Sequence, residues 1–201
     1  MPDDIRITTH IGAAILPLLD DAARLRLSVF HAWPYLYEGT REDETEYLTT
    51  YAAAPDAFLA AAHADGQIVG VSTGIPLSRE PDSIQQVFRT AGIDPASVFY
   101  FGESVLAPAW RGRGLGVRFF GERERYARSL PGITMAAFCA VDRSADDPRR
   151  PPDYIPLDQF WQRRGFQRTC LQTHFTWKET GEASPSPKSL TFWTKSLAPA
   201  P

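Results

Sequence analysis

Residues 111–116, Arg-Gly-Arg-Gly-Leu-Gly, combine two cations with glycines at alternate positions, a spacing suited to holding an anion. Glycine lets the main chain approach a ligand closely, and arginine adds charge that neutral amides lack. Upstream, Val98 to Leu106 is rich in aromatic and aliphatic strand formers and gives out at Pro108. Downstream, Phe119, Phe120, Arg123 (by its stem), Tyr126, Ala127 and Leu130 recur at helical spacing and share one face. Strand, glycine turn, helix is the grammar of a phosphate cradle, in which the unpaired amides of the first helical turn face the anion. The same residues also serve a plain strand-to-helix connection, so the turn alone decides nothing. It lacks the Gly-Lys-Ser/Thr ending of a P-loop, and its glycines do not spell G-x-G-x-x-G.

Other groups capable of chemistry are sparse. Glu103 is an acid inside an aromatic strand and needs either a partner or a purpose. Trp33, Tyr35 and Tyr37 lie beside Glu38 and offer cation–π contact plus charge to an amine, or simply core packing. His10, His31, His63 and His174 are scattered without ligand spacing, which argues against a metal. No G-x-S-x-G elbow or Cys-His arrangement points to a covalent intermediate.

The elements that must position these groups follow from pattern. Ile5 to Thr9 alternates as a strand, and Ala13 to His31 has a helical period with Pro17 near its start. Asp43 to Ala54 predicts a second helix with acids in its first turn. Phe58–Ala62 and Gln67–Pro76 are strands joined at Asp65-Gly66, a strong hairpin signal. Ile84 to Ala91 reads as a short helix closed by Gly92, and Ile133 to Val141 as a strand buried on both faces. Pro156 opens a helix stopped by Gly165; Cys170–Lys178 and Ser189–Ser196 complete the strands. The order predicts a mixed α/β fold of the α+β type, a twisted mixed β-sheet of about seven strands with helices on both faces. One domain over residues 1–197 is expected, with a disordered tail at 198–201.

A net charge of -3 argues against a nucleic-acid or anionic-membrane partner, and against RNA binding by a single Arg-Gly-Arg-Gly. Two cysteines, Cys139 and Cys170, read as small buried hydrophobes in a reducing cytoplasm. The start, Met-Pro-Asp-Asp, is no signal peptide, and no apolar run approaches the ~20 residues that span a bilayer.

Counted from Arg111, the turn reads R-x-x-G-x-G after a strand and a proline, and it resembles the acyl-CoA-binding motif of the GNAT superfamily of N-acyltransferases. Leu106-x-Pro108 and the late Gln159-Phe-Trp-Gln-Arg-Arg-Gly-Phe166, similar to the family's F-Y-x-x-x-G-F, extend the resemblance from Ile5 to Leu197. It implies acetyl-CoA, or another acyl-CoA, as co-substrate and no metal. Backbone of Ser104, Val105 and Leu106 would pair with the pantetheine amides. Gly112, Arg113, Gly114, Leu115, Gly116 and Val117 would supply amides to the pyrophosphate, with Arg111 as anchor and Arg113 as charge partner. The Leu106 amide would serve the oxyanion. The family's usual base positions fall on Gly102 and Tyr100, with Glu103 one place off; a bulge would turn Glu103 into the cleft as base or acceptor anchor. The usual tyrosine acid is replaced by Trp161, leaving Tyr154, water or Asp142 to protonate the thiolate. Trp33, Tyr35 and Tyr37 fall where the family contacts its acceptor. The activity so implied is N-acetyl transfer to an amine, a small amine or amino-acid derivative being favoured because 78–97 would narrow the cleft. A peptide or protein amine and a non-catalytic acyl-CoA sensor are the alternatives. A homodimer is compatible with the sequence.

Overall fold

The computed structural model describes residues 5–197, so the tail expected at 198–201 lies outside the described residues. In chain order the elements are β1 Arg6–Ile11, α1 Leu19–Phe30, α2 Arg41–Ala53, β2 Phe58–Ala64, β3 Gln67–Pro76, α3 Asp82–Thr90 and β4 Val98–Tyr100. There follow β5 Ser104–Leu106, α4 Leu115–Ser129, β6 Met135–Val141, α5 Asp158–Gln162, β7 Gln167–Trp177 and β8 Ser186–Ser196. The single helix expected from Ala13 is divided: Gly12–Leu18 winds as a tight 3-10 turn containing Pro17 before α1 begins. Proline has no amide to continue an α-helical ladder backwards, which is why the two do not merge. The Thr40 hydroxyl and the Asp43 carboxylate cap one another's backbone amides and fix the start of α2. Asp65 and Gly66 both take positive φ, 51° and 74°, as a two-residue turn with matching twist requires.

The strands lie in the order β1-β2-β3-β4-β6-β8-β7, with β5 beside β3. Only β4 and β6 run parallel; every other pair is antiparallel. One face carries α1, α2 and α3 over Ile15, Leu48, Tyr51, Ile75 and Phe88. The other carries α4 over Phe99, Phe101, Phe119, Phe120 and Phe166. Each such ring contributes about 1.5–3 kcal/mol by leaving water, so the sheet is held rigidly between two cores.

The sheet has eight strands among the described residues, against the seven expected, because the central strand is broken. From Ile75 to Ser72 on β3 there are three steps, while the partner runs four, from Tyr100 to Ser104. Gly102 and Glu103 together therefore face one residue, Thr73: Gly102 N donates to Thr73 O at 3.2 Å, and Thr73 N donates to Glu103 O at 3.0 Å. This is a β-bulge, and it inverts side-chain parity. Before it, odd-numbered Phe99 and Phe101 face α4; after it, odd-numbered Val105 faces α1 and α2. Glu103 is carried to that second face with Val105.

Candidate active site

The glycine turn opens a helix that has no side-chain cap among the described residues. Gly112 and Gly114 have φ of 75° and 79°, and Gly114 precedes α4 without a side-chain hydrogen bond. A left-handed residue at that point costs a non-glycine side chain about 1–2 kcal/mol. No acid stands in the first turn of α4, so its amides and the positive end of its dipole face outward uncompensated. They face a cavity of about 1800 Å³, whose wall includes Arg111, Gly112, Gly114, Leu115, Gly116 and Val117. A methyl group at Gly112 or Gly114 would meet nothing within 4 Å, while one at Gly116 would come 3.2 Å from the Phe160 ring. Arg111 anchors the turn to the strand before it, its Nε donating to Leu106 O at 3.3 Å. Arg113 is placed differently from its expected role beside the amides: its guanidinium lies over the Trp110 ring at 4.7 Å, and it is not part of the cavity wall.

Beyond the bulge the chain leaves β6. The β4–β6 pairing ends at Tyr100 and Ala137, with one further bond from Phe101 N to Ala137 O at 2.7 Å. From there β5 keeps only β3 as a neighbour, and its other edge borders the cavity. Backbone groups alternate between the two edges. Glu103 O and Ala107 N are bonded to β3, so Val105, in phase with them, spends its groups there too. Ser104 and Leu106 turn theirs to the open edge. Val105 is thus removed from the expected set: its side chain is core and its backbone belongs to β3.

Glu103, which also lines the cavity, meets a cluster that spacing did not reveal. Arg26 of α1 sets Nη1 2.5 Å from Glu103 Oε2 and also pairs, through Nε, with Glu44 of α2. Arg26, Glu44 and Glu103 are only 8%, 2% and 7% exposed, so the charges are largely withdrawn from water and depend on one another. The surrounding carboxylates hold the Arg26 guanidinium above its ordinary range although burial opposes this. Behind the bulge, Arg123 of α4 donates to Thr73 O at 3.4 Å, Glu103 O at 3.3 Å and Ser104 Oγ at 2.8 Å. Burial lowers the Arg123 guanidinium to about 9, which leaves it a cation at neutral pH. Glu103 Oε1 is buried and has no hydrogen-bond partner. An ionised carboxylate oxygen left so costs free energy until a donor arrives, and Glu103 is part of the cavity wall.

These features coincide with what the chain is related to. The family model described as the Acetyltransferase (GNAT) family matches residues 24–166, more than half of the chain. The chain belongs to the GNAT acetyltransferase family. Solved structures agree in fold. A protein provisionally described as a phosphinothricin N-acetyltransferase superposes with a TM-score of 0.63 at 14% identity, over 96% of this chain and 100% of that one. NAA60 of Arabidopsis thaliana, solved with a bisubstrate analogue, gives 0.58 at 12%, covering 96% and 100%. The ribosomal-protein-alanine N-acetyltransferase of Brucella melitensis gives 0.57 at 17%, covering 96% and 98%. No curated protein matches the chain significantly.

As a GNAT member the chain departs from its family at two chemically important positions. At Gly102, one of the usual base positions, an added Cβ would lie 2.3 Å from the Tyr51 hydroxyl and 2.6 Å from Thr73 Oγ1. A tyrosine from α2 occupies the room of the missing side chain. At the acid position, Trp161 is packed against Phe138 and Trp193 at ring distances of 5.0 and 5.1 Å. Tyr154 lines the same cavity, with the Trp33 ring edge-on at 6.0 Å and Arg150 at 5.7 Å from its centre. Burial and the Asp158 charge hold its hydroxyl above the ordinary range, so it remains a proton donor at neutral pH. Asp142 is engaged elsewhere, accepting from Ser189 Oγ at 3.0 Å and Thr191 Oγ1 at 2.9 Å and pairing with Arg168 at 2.8 Å.

Trp33, Tyr35 and Tyr37 all line the cavity, but Glu38 beside them does not. Glu38 is tied to Lys178 at 2.6 Å, and the acids acting on the tyrosines are Glu44 and Asp43 at Tyr37 and Glu103 at Tyr35. Among the described residues no group of three or more His, Cys, Asp or Glu could hold a metal. Among the same residues no helix is long and apolar enough to cross a membrane.

Proposed function

We propose that this GNAT member transfers an acetyl group from acetyl-CoA directly to a small primary amine. The observation that carries the reading is one continuous cavity. It joins the uncapped amides of α4 and the open edge of β5 to the buried carboxylate of Glu103 beneath aromatic rings. Amides at Gly112, Gly114, Leu115, Gly116 and Val117 suit a pyrophosphate, and the outward groups of Ser104 suit an extended chain of amides, the Leu106 carbonyl being taken by Arg111. Acetyl-CoA brings an activated thioester acyl group to the end of that edge.

Each chain residue then has a task. The outward amide of Leu106 donates to the oxygen on which negative charge develops. Glu103 Oε1 accepts from the amine, and Trp33 and Tyr35 border the amine's path. Tyr154 supplies the proton for the departing thiolate. The small acceptor is favoured because Glu80, Pro81 and Ile84, from the segment after β3, form part of the wall and limit its width. The reading places the enzyme in the cytoplasm, where the unpaired Cys139 and Cys170 stay reduced.

Acetyl-CoA affinity measured by calorimetry, followed by thiol release with acetyl-CoA across a panel of small amines and amino-terminal peptides, tests this reading. Binding with turnover of small primary amines is expected. Turnover of peptides alone would transfer the acceptor class, and binding without any turnover would make the protein a sensor.

A further inference from the structure

Glu80 is a half-buried acid that the proposed chemistry has not used. It follows the short turn after β3, and its side chain borders the cavity near the bulge. Three contacts connect it to Glu103. Tyr51 Oη lies 3.3 Å from Glu80 Oε1, the Tyr51 and Tyr47 hydroxyls are 2.9 Å apart, and Tyr47 Oη lies 3.2 Å from Glu103 Oε2. Tyr47 and Tyr51 are one helical turn apart on α2, so one face of that helix carries both links. Gly102 leaves the room in which the Tyr51 hydroxyl sits.

Proton counting gives this chain a function. Three oxygen–oxygen contacts need three protons, and the two tyrosines bring two. With both carboxyls ionised, one contact has no hydrogen; with one further proton, all three are made.

We propose that Glu103, Tyr47, Tyr51 and Glu80 form a proton relay that takes the acceptor ammonium's proton and lodges it on Glu80. The proposal rests on the acyltransferase reading. Before transfer, Tyr51 donates to the Glu80 carboxylate, Tyr47 donates to Tyr51, and the ammonium, held at Glu103 Oε1, donates to the oxygen of Tyr47, a residue of the cavity wall. The ammonium's N–H bond breaks and its proton binds Tyr47. The Tyr47 proton passes to Tyr51, and the Tyr51 proton passes to Glu80 Oε1. The amine is left neutral with its lone pair free, both tyrosines end neutral, and Glu80 ends as the carboxylic acid. Tyr47, with its new proton, then donates to Glu103 Oε2, and all three contacts are filled.

The surroundings suit this direction of transfer. Arg26 from α1 stands at Glu103 and not at Glu80, and Arg123 from α4 holds the bulge carbonyls. Glu44 from α2 is paired with Arg26. Tyr100 of β4 and Cys139 of β6, 3.0 Å apart, also face the chain, while Tyr35 and Tyr37 face its Arg26–Glu44–Glu103 end, and burial holds all four protonated. Burial lifts the Glu80 carboxyl to about 7; the Tyr51 hydrogen bond opposes the rise and the Glu103 charge adds to it. Burial likewise lifts both tyrosine hydroxyls well above their ordinary range, so they pass protons without ionising. A terminal acceptor poised near neutrality is the one best matched to reversible transfer.

Two measurements on the full chain test the relay. Carbon-13 NMR of labelled glutamate carboxyls, without ligand, should show one group titrating near 7. That signal should vanish in Glu80→Gln, move up in Tyr51→Phe and move down in Glu103→Gln. An ordinary midpoint for Glu80 would overturn the shared chain. In acyl transfer from acetyl-CoA to the best primary amine found, kcat/KM should fall below about pH 7, where Glu80 is already protonated. Glu80→Gln should lose that acid limb and about 10²–10⁴ in kcat, with acetyl-CoA affinity unchanged. Tyr51→Phe removes one oxygen atom, preserves packing and should slow transfer similarly, so the test stands even if Glu80→Gln folds poorly. A normal rate and intact acid limb in either variant would overturn the relay. A wild type that shows the titration but acetylates no amine would overturn the acyltransferase reading instead.

Discussion

Arg26 of α1 and Glu103 of the central strand meet as a buried ion pair, Nη1 to Oε2 2.5 Å, at the point where the strand bulges. The bulge turns the carboxylate toward α1, Arg26 compensates it, and Arg123 satisfies the carbonyl of the same residue from the opposite side. One oxygen of Glu103, Oε1, is left buried without a partner, in a residue that lines the cavity.

Removing Arg26 should expose how much this arrangement depends on one cation. Arg26→Met leaves Glu44 and Glu103 buried without their partner, a loss of about 3–5 kcal/mol in unfolding free energy. Urea denaturation measures it. A loss below 1 kcal/mol would mean that water or rearrangement compensates the carboxylates.

Glu103→Gln keeps shape and removes charge. The amine should bind less well by the worth of a charge-assisted hydrogen bond, about 1.5–3 kcal/mol, or roughly 10–100-fold in KM. Acetyl-CoA affinity should not change, since the Glu103 side chain is no part of the glycine turn that opens α4. Steady-state kinetics with calorimetry separates the two. A normal KM would return Glu103 to a purely structural role.

Gly116→Val should weaken acetyl-CoA binding at least tenfold, about 1.4 kcal/mol, because its methyls stand over the amides of the first turn and press on Phe160. The helix tolerates valine at a cost below about 1 kcal/mol, so the variant should remain folded. Unchanged affinity by calorimetry on folded variant would remove the pyrophosphate from this turn.

Tyr154→Phe should slow acyl transfer by about 10²–10⁴ without altering acetyl-CoA affinity. Trp161→Tyr in that background should restore part of the rate, because the tryptophan also lines the cavity. Silence in both variants would show that a protein side chain is not needed to protonate the thiolate.

Stability should carry the signature of Glu80. Its folded value of about 7 lies above the ordinary 4.5, so between these limits the folded state holds the proton that the unfolded chain has lost. The contribution is full below about 4.5 and is lost as pH rises through about 7. Its size is about 3 kcal/mol at 1.36 kcal/mol per unit. Unfolding free energies of wild type and Glu80→Gln from pH 4 to 8 should therefore differ with this slope. Parallel curves would contradict a raised Glu80.

Much of the molecule was decided locally. Asp65-Gly66 favours the backbone angles of its hairpin, Pro108 and the glycines separate strand from helix, and the aromatic spacing after Val117 makes α4 amphipathic wherever it lies. These are short-range effects of sterics, capping and periodicity, and so the order of elements and the glycine turn between strand and helix were legible in the sequence. Trp161 in place of tyrosine was legible for the same reason. The placement of Glu103 was not. Its side depends on an extra residue opposite Thr73, and that register is set by pairing with β3, not by the residues of the strand itself. Arg26, Glu44, Tyr47, Tyr51 and Glu80 read as ordinary helix and loop residues because no fixed spacing links them to the central strand. Only the packing of α1, α2 and the segment after β3 on one face of the sheet brings them together, where low solvent access makes their charges and protons interdependent.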